Sequence, residues 1–292
     1  QVETFQRYGL GSFRDLLIAI AQDPAMLVFL DAGVNTKNAP NENFAREIME
    51  LFTMGVGEYG EEDVREAARA FTGWSVKGLE FYINPETHDS GKKVFLGQRG
   101  AFDGIQIIDQ ILARPQTSRF IAAKLYRFFV RNDLTAAAEA QLGERLRAHD
   151  FDIGAYLTEL FLSEDFYASQ GEHIKSPVEL VVSTYHKMGL TTVPGVPDFN
   201  VVTGALGQRL LHPPTVAGWS EGRSWITPSL LFERGNFVLD VVFPDLNFVP
   251  PDRFPAFTPE VARVQKRMRT GMSVSQATKP TGMMGGEMAQ SN

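Results

Sequence analysis

At 292 residues the chain is long enough for one large or two modest domains, each able to bury a real core. Apolar residues make up 43% and charged residues 22%, which excludes a collagen, a coiled-coil rod or a wholly disordered chain. A net charge of -7 works against nucleic acid as a general partner, and zero cysteines remove disulfides, thiolate nucleophiles and cysteine-held metal while leaving His and carboxylate ligands open.

Helix punctuation recurs in chain order. Ser12 with Asp15 is a capping-box pattern before Leu16, Leu17 and Ile20, and Asp23 with Pro24 opens a second helix that stops before Gly33. Helical periodicity then covers about 104–113, 117–131, 137–148, 153–162 and 199–211. Ser176, Pro177 and Glu179 start a helix that ends at Gly189, and Thr227 with Pro228 starts one through Phe237 and Val241. The stripe Phe120, Leu125, Phe128 and Phe129 reads as core. Phe81–Asn84 and Lys93–Leu96 predict one small β-hairpin around the turn PETHDSG. The fold class expected is mainly α, a compact multi-helix orthogonal array with that one hairpin. Residues 1–258 form the helical domain in this reading, any boundary falls near 191–198, and 259–292 is a low-complexity tail without helical phasing, expected to be disordered. No apolar run approaches the ~20 residues of a membrane span, and QVETFQRYGL lacks the pattern of a signal peptide.

The densest polar signal is the segment 40–74. At 100° per residue, Phe44, Ile48, Leu51 and Phe52 share one face of a first helix, with Arg46, Glu47 and Glu50 on the adjoining arc. In a second helix Val64, Ala67, Ala68 and Phe71 face inward, with Arg65, Glu66 and Arg69 beside them. The turn MGVGEYG makes the helices antiparallel neighbours, so carboxylates and guanidiniums should converge. One reading makes Glu47 or Glu50 a general base or metal ligand oriented by Arg65 or Arg69. The other makes the same charges an ion-pair network that locks the hairpin.

His88 and Asp89 place an imidazole and a carboxylate side by side, conceivable ligands for a divalent metal, although an Asp in such a turn commonly bonds its own backbone. Trp74, Trp219, Arg223 and Trp225 are candidates for contacting a flat or anionic ligand, against the ordinary alternative of tryptophans that anchor irregular backbone. Ser220 in GWSEG has loop on both sides and is rejected as a nucleophile elbow.

The stretch NENFAREIMELFTMGVGEYGEEDVREAARAFTGW resembles the signature of the bacterial family catalogued as domain of unknown function 1800. FRDLLIAIAQDPAMLVFLD, HDSGKKVFLG, RFIAAKLYRFFV and PPTVAGWSEGRSWITPSLLFERGNF agree with it in order, over about residues 9–240. The resemblance implies a predominantly helical protein, often exported and often encoded beside a sulfatase-like protein, with no established reaction. It also makes His88, Asp89, Gly91 and Lys93 a match to the family's HD-x-G-x-K element. The family's usual upstream portion, with its FWHNHF-like segment, is not found in this sequence, so a missing N-terminal segment is an expected partner. Two functions follow as expectations: an exported metal-assisted or carboxylate-dependent hydrolase, or a non-catalytic scaffold whose charged hairpin is purely structural.

Overall fold

A computed structural model describes residues 1–190, 193 and 198–242. The tail expected over 259–292 and most of the 191–198 segment lie outside the described residues. Where the sequence suggests one domain over 1–258, the chain divides between His173 and Ile174 into two compact units. The reason is in the cores, because the buried side chains form two separate clusters rather than one.

The first unit begins with α1 (Val2–Tyr8), α2 (Phe13–Ala21) and α3 (Pro24–Phe29). After a short 3-10 turn come α4 (Asn43–Met49), running on into a π-helical turn over Glu50–Met54, and α5 (Glu61–Ala70). Two hairpins follow, β1 (Trp74–Lys77) with β2 (Glu80–Ile83), and β3 (Lys93–Phe95) with β4 (Gln98–Gly100). The unit closes with α6 (Gly104–Leu112), α7 (Pro115–Phe129), α8 (Ala136–Ala148), α9 (Ile153–Phe161) and α10 (Glu164–Ala168). The second unit holds α11 (Pro177–Lys187), α12 (Phe199–Ala205), a 3-10 turn over Gly222–Ile226 and α13 (Pro228–Val242). Mainly α architecture is thus established. No helix among the described residues is long and apolar enough to cross a membrane.

Local chemistry explains most of the boundaries. Ser12 Oγ accepts from the Asp15 amide, Asp23 from those of Ala25 and Met26 ahead of Pro24, and Ser176 closes a reciprocal box with Glu179. Each cap contributes ~1 kcal/mol by satisfying amides that the helix leaves orphaned. α1 and α10 contain no buried residue, so they carry no apolar stripe from which a sequence could predict them. The last predicted turns of α12 are missing, because the chain turns at Gly207 with φ +101°.

In the first unit the core centres on α4, α5 and α6. Phe44, Phe71, Trp74 and Phe81 form an aromatic group with Trp74 edge-on to both Phe71 and Phe81, each at 5.0 Å. Gly104 lets α6 start against this group, since a Cβ there would lie 2.4 Å from the Trp74 ring. The second unit is centred on Val181, Leu206, Phe237 and Val241.

Three sequence expectations need correction. Strands exist at 81–83 and 93–95 but do not pair with each other; each closes a tight hairpin of its own, through Gly78 (φ +66°) and through Leu96 and Gly97 (φ +47° and +81°). Two-residue turns with positive φ match the twist of paired strands better than a long PETHDSG loop. In the phenylalanine stripe of α7, Phe128 is 48% exposed, while Ile121, Ala122, Ala123 and Tyr126 are the buried face. Finally, Leu51 and Phe52 are only half-buried; the wide π-turn passes the core to Thr53 and Met54, five residues after Ile48 and Met49. Thr53 Oγ1 donates to the Ile48 carbonyl at 2.6 Å and stabilises that turn.

Candidate functional site

α4 and α5 pack against each other, and their ion pairs run in antiparallel register. Arg46 donates to both carboxylate oxygens of Glu61, at 3.0 and 2.7 Å, and to Glu42 at 3.0 Å. These bonds raise Arg46 and lower Glu61 from their ordinary values. Arg65 bonds Glu62 at 2.6 Å and stands 3.9 Å from Glu42. The expected convergence of acidic and basic flanks is therefore real, but its members are not those predicted. Neither Glu47 nor Glu50 pairs with Arg65 or Arg69.

The other face of α5 is a ladder onto the segment that follows. Asp63 and Glu66 recur at three-residue spacing, and their carboxylates accept from the backbone amides of Leu96 at 2.8 Å and Val94 at 2.7 Å. The Val94 amide is on the edge of β3 turned away from β4 and the Leu96 amide lies in the turn just past it, so the Glu66 carboxylate stands where another strand would otherwise pair. Arg69 continues the ladder, donating to Glu66 at 2.7 Å, to Asp89 at 2.8 Å and to the Lys92 carbonyl at 3.3 Å.

The His88–Lys93 loop is organised from within. Asp89 Oδ1 accepts from the Gly91 amide at 2.8 Å, the backbone turn that its sequence suggests, and its amide donates to Thr72 Oγ1 at 2.7 Å. Burial alone would raise the Asp89 carboxyl, but Arg69, the Gly91 amide and Lys93 together hold it below its ordinary value. Lys93 is 1% exposed and donates to the carbonyls of Asp89 at 2.6 Å and Gly91 at 3.0 Å; burial lowers its pKa. His88 Nδ1 lies 2.7 Å from the Thr72 carbonyl, which can only accept, so that nitrogen carries the proton. Gly73 makes the approach possible: at φ +79°, a Cβ there would lie 2.6 Å from the Asn84 carbonyl and 3.1 Å from His88.

Both carboxylate oxygens of Asp89 are thus engaged. Among the described residues no three His, Asp or Glu side chains come together as a metal site would require.

Glu47 and Glu50 differ from the rest. The Glu47 side chain makes no hydrogen bond or ion pair among the described residues, and partial burial, then the charge of Glu50, raise its pKa against the opposing pull of Arg46. Glu50 accepts from the Tyr59 hydroxyl at 3.2 Å, and burial followed by Glu50 pushes that phenol up to about 12.

The candidate tryptophans separate by environment. Trp74 is 1% exposed inside the aromatic core, which leaves it no face for a ligand. In the second unit Trp225 is 6% exposed, and its carbonyl receives Arg234 Nε at 3.0 Å. Trp219 is half-buried beside a turn closed by Thr215 and Gly218, and Arg223 is exposed. Sequence reasoning missed Asp63 as an anchor and placed Glu66 merely beside the core, since their amide partners lie 33 and 28 residues away.

No curated protein and no solved structure matches the chain. The family model described as protein of unknown function (DUF1800) matches residues 1–285, beyond the 9–240 over which the motifs resemble it, and the chain belongs to that family.

Proposed function

We propose that this protein works by association, as a non-catalytic scaffold or partner of another protein, with the charged hairpin as its internal brace. One observation carries the reading: Arg65, Arg69 and Asp89 are taken up by neighbouring side chains or by the protein's own backbone rather than aimed at a common point. Supporting it, α13 turns an apolar arc outward. Leu231, Phe232, Val238 and Leu239 are 49–68% exposed, and their seven-residue spacing puts them on the side away from buried Phe237 and Val241. The family resemblance makes an exported sulfatase-like protein the first partner to test.

The experiment is cross-linking and co-purification of the full chain from its native host, alongside a Leu231→Asp, Leu239→Asp double variant. A partner retained by the parent and lost by the double variant supports association through α13. Finding no partner with the parent would count against it.

A second reading rests on Glu47, whose raised pKa beside Glu50 suits a carboxylate acid and base pair in a hydrolase. Hydrolytic activity abolished by Glu47→Gln with no fall in melting temperature would favour this reading over association.

A further inference from the structure

α8 packs along α7 and meets α9 only lightly, so a groove opens between α8 and the corner where α9 passes into α10. Its volume is about 550 Å³, within the range of small-molecule sites. Thr135, Ala138, Gln141 and Arg145 follow one another along α8 at three- and four-residue spacing. At 1.5 Å per residue they make one wall roughly 15 Å long. Ser163, Glu164 and Asp165 line it from the α9–α10 side, and Leu142 and Leu160 add apolar surface.

Part of this lining is already neutralised. Tyr126 is 3% exposed; its hydroxyl donates to Asp165 and accepts from Arg131 Nε at 3.0 Å, while Arg131 Nη2 reaches the other Asp165 oxygen at 2.5 Å. Burial and the bond to Asp165 raise the phenol, which stays protonated and keeps this arrangement closed.

The remaining charges have no such arrangement. The side chains of Asp133 and Glu164 line the groove without a hydrogen bond or ion pair among the described residues. Among the described residues the Arg145 side chain pairs with Glu159 alone, at 3.3 Å between partly exposed side chains, a pairing that contributes little and yields easily to a better one. A purely anionic ligand would face Asp133 and Glu164 unpaired, and a purely cationic one would face Arg145. We propose that this groove binds a small zwitterion of the free amino-acid class. Arg145 and Gln141 receive its carboxylate, Glu164 and Asp133 its ammonium, and its side chain lies against Leu142 and Leu160. The proposal stands apart from the association reading and uses none of its residues.

The test is calorimetric titration of the full chain, at low salt, with a panel of the common amino acids. For the tightest binder its deaminated and decarboxylated analogues are titrated as well. Saturable binding is expected from the amino acid, with each analogue weaker by about tenfold or more, and with Arg145→Ala and Glu164→Gln each costing a similar factor. Both side chains are exposed, so the variants should melt with the parent. No saturable binding across the panel would overturn the proposal. So would analogues that bind as well as the amino acid, or folded variants that bind it as well as the parent.

Discussion

Asp89 and Glu47 are both partly buried carboxylates within the same charged region, yet they lie on opposite sides of their ordinary pKa values. Both lose water, which disfavours the charged form. Asp89 is repaid by a guanidinium, a backbone amide and the nearby Lys93, and its carboxyl falls below 3.8. Glu47 gains only the weaker influence of Arg46 against the repulsion of Glu50, and it rises above 4.5. Burial alone therefore says little about what a charged side chain does; the donors around it decide. Where donors are supplied the region is a brace, and where they are missing a carboxylate is left with its pKa raised.

The largest expected effect tests the brace. Glu66 is 7% exposed and joins Arg69 to the Val94 amide, so Glu66→Ala removes two charge-assisted bonds at once, leaving Arg69 its bonds to Asp89 and the Lys92 carbonyl. A loss of ~3 kcal/mol is expected. The measurement is urea unfolding of the first unit, followed by Trp74 fluorescence in a background with Trp219 and Trp225 replaced by Phe. A loss below ~1 kcal/mol would mean that the ladder does not hold β3 in place.

Lys93→Met should cost less, ~1–2 kcal/mol, because it strands two carbonyls but also removes a buried charge. Its pH dependence has a defined sign. The folded value lies below 10.5, so between the two values the unfolded chain holds more protons. The parent should gain stability relative to the variant as pH rises through that window. A parallel pair of curves would show that Lys93 is not desolvated.

Asp89→Asn and Glu47→Gln sharpen the contrast directly, with smaller effects whose slopes against pH are opposite. The stabilisation from Asp89 is present above 3.8 and lost as pH falls through its lower folded value, so the parent and the Asn variant should converge in acid. Glu47 behaves the other way. As pH rises from 4.5 through its higher folded value the parent should lose stability relative to the Gln variant, which ends slightly more stable at neutrality. Chemical denaturation at a series of pH values checks both. Slopes of the same sign would remove the distinction between the two sites.

What the sequence made legible follows from the range of the forces involved. The inward set Val64, Ala67, Ala68 and Phe71 is a matter of helical period, and all four are buried as expected. Caps such as Ser12, Asp23 and Ser176 act within three residues, and they too are found where the sequence puts them. The Asp89 turn was readable for the same reason, since Gly91 is two residues away. By contrast, His88 finds its acceptor 16 residues back at Thr72, and the Asp63 and Glu66 ladder spans still longer separations. Nothing local to a carboxylate tells which distant amide it will meet. The π-turn was hidden for another reason, because a fixed 100° step cannot register one extra residue in a turn. It shifted the core positions that follow, while Glu47 and Glu50 kept the margin the sequence assigned them.

The smallest expected effect closes the comparison from the other end. Arg65 was expected, like Arg69, to orient a catalytic carboxylate, and both are engaged by acidic neighbours. Their exposures differ, however: the Arg65 side chain is 55% exposed and that of Arg69 is 26%. The Arg65 bond to Glu62 joins residues three apart on one helix, where water screens the charge and two long side chains must be ordered to make it. Arg65→Ala should therefore change stability by no more than about 0.5 kcal/mol, in the same urea experiment that shows the loss for Glu66→Ala. A loss comparable to that of Glu66→Ala would place Arg65 inside the brace, through its longer approach to Glu42, and would extend the network from one face of α5 to both.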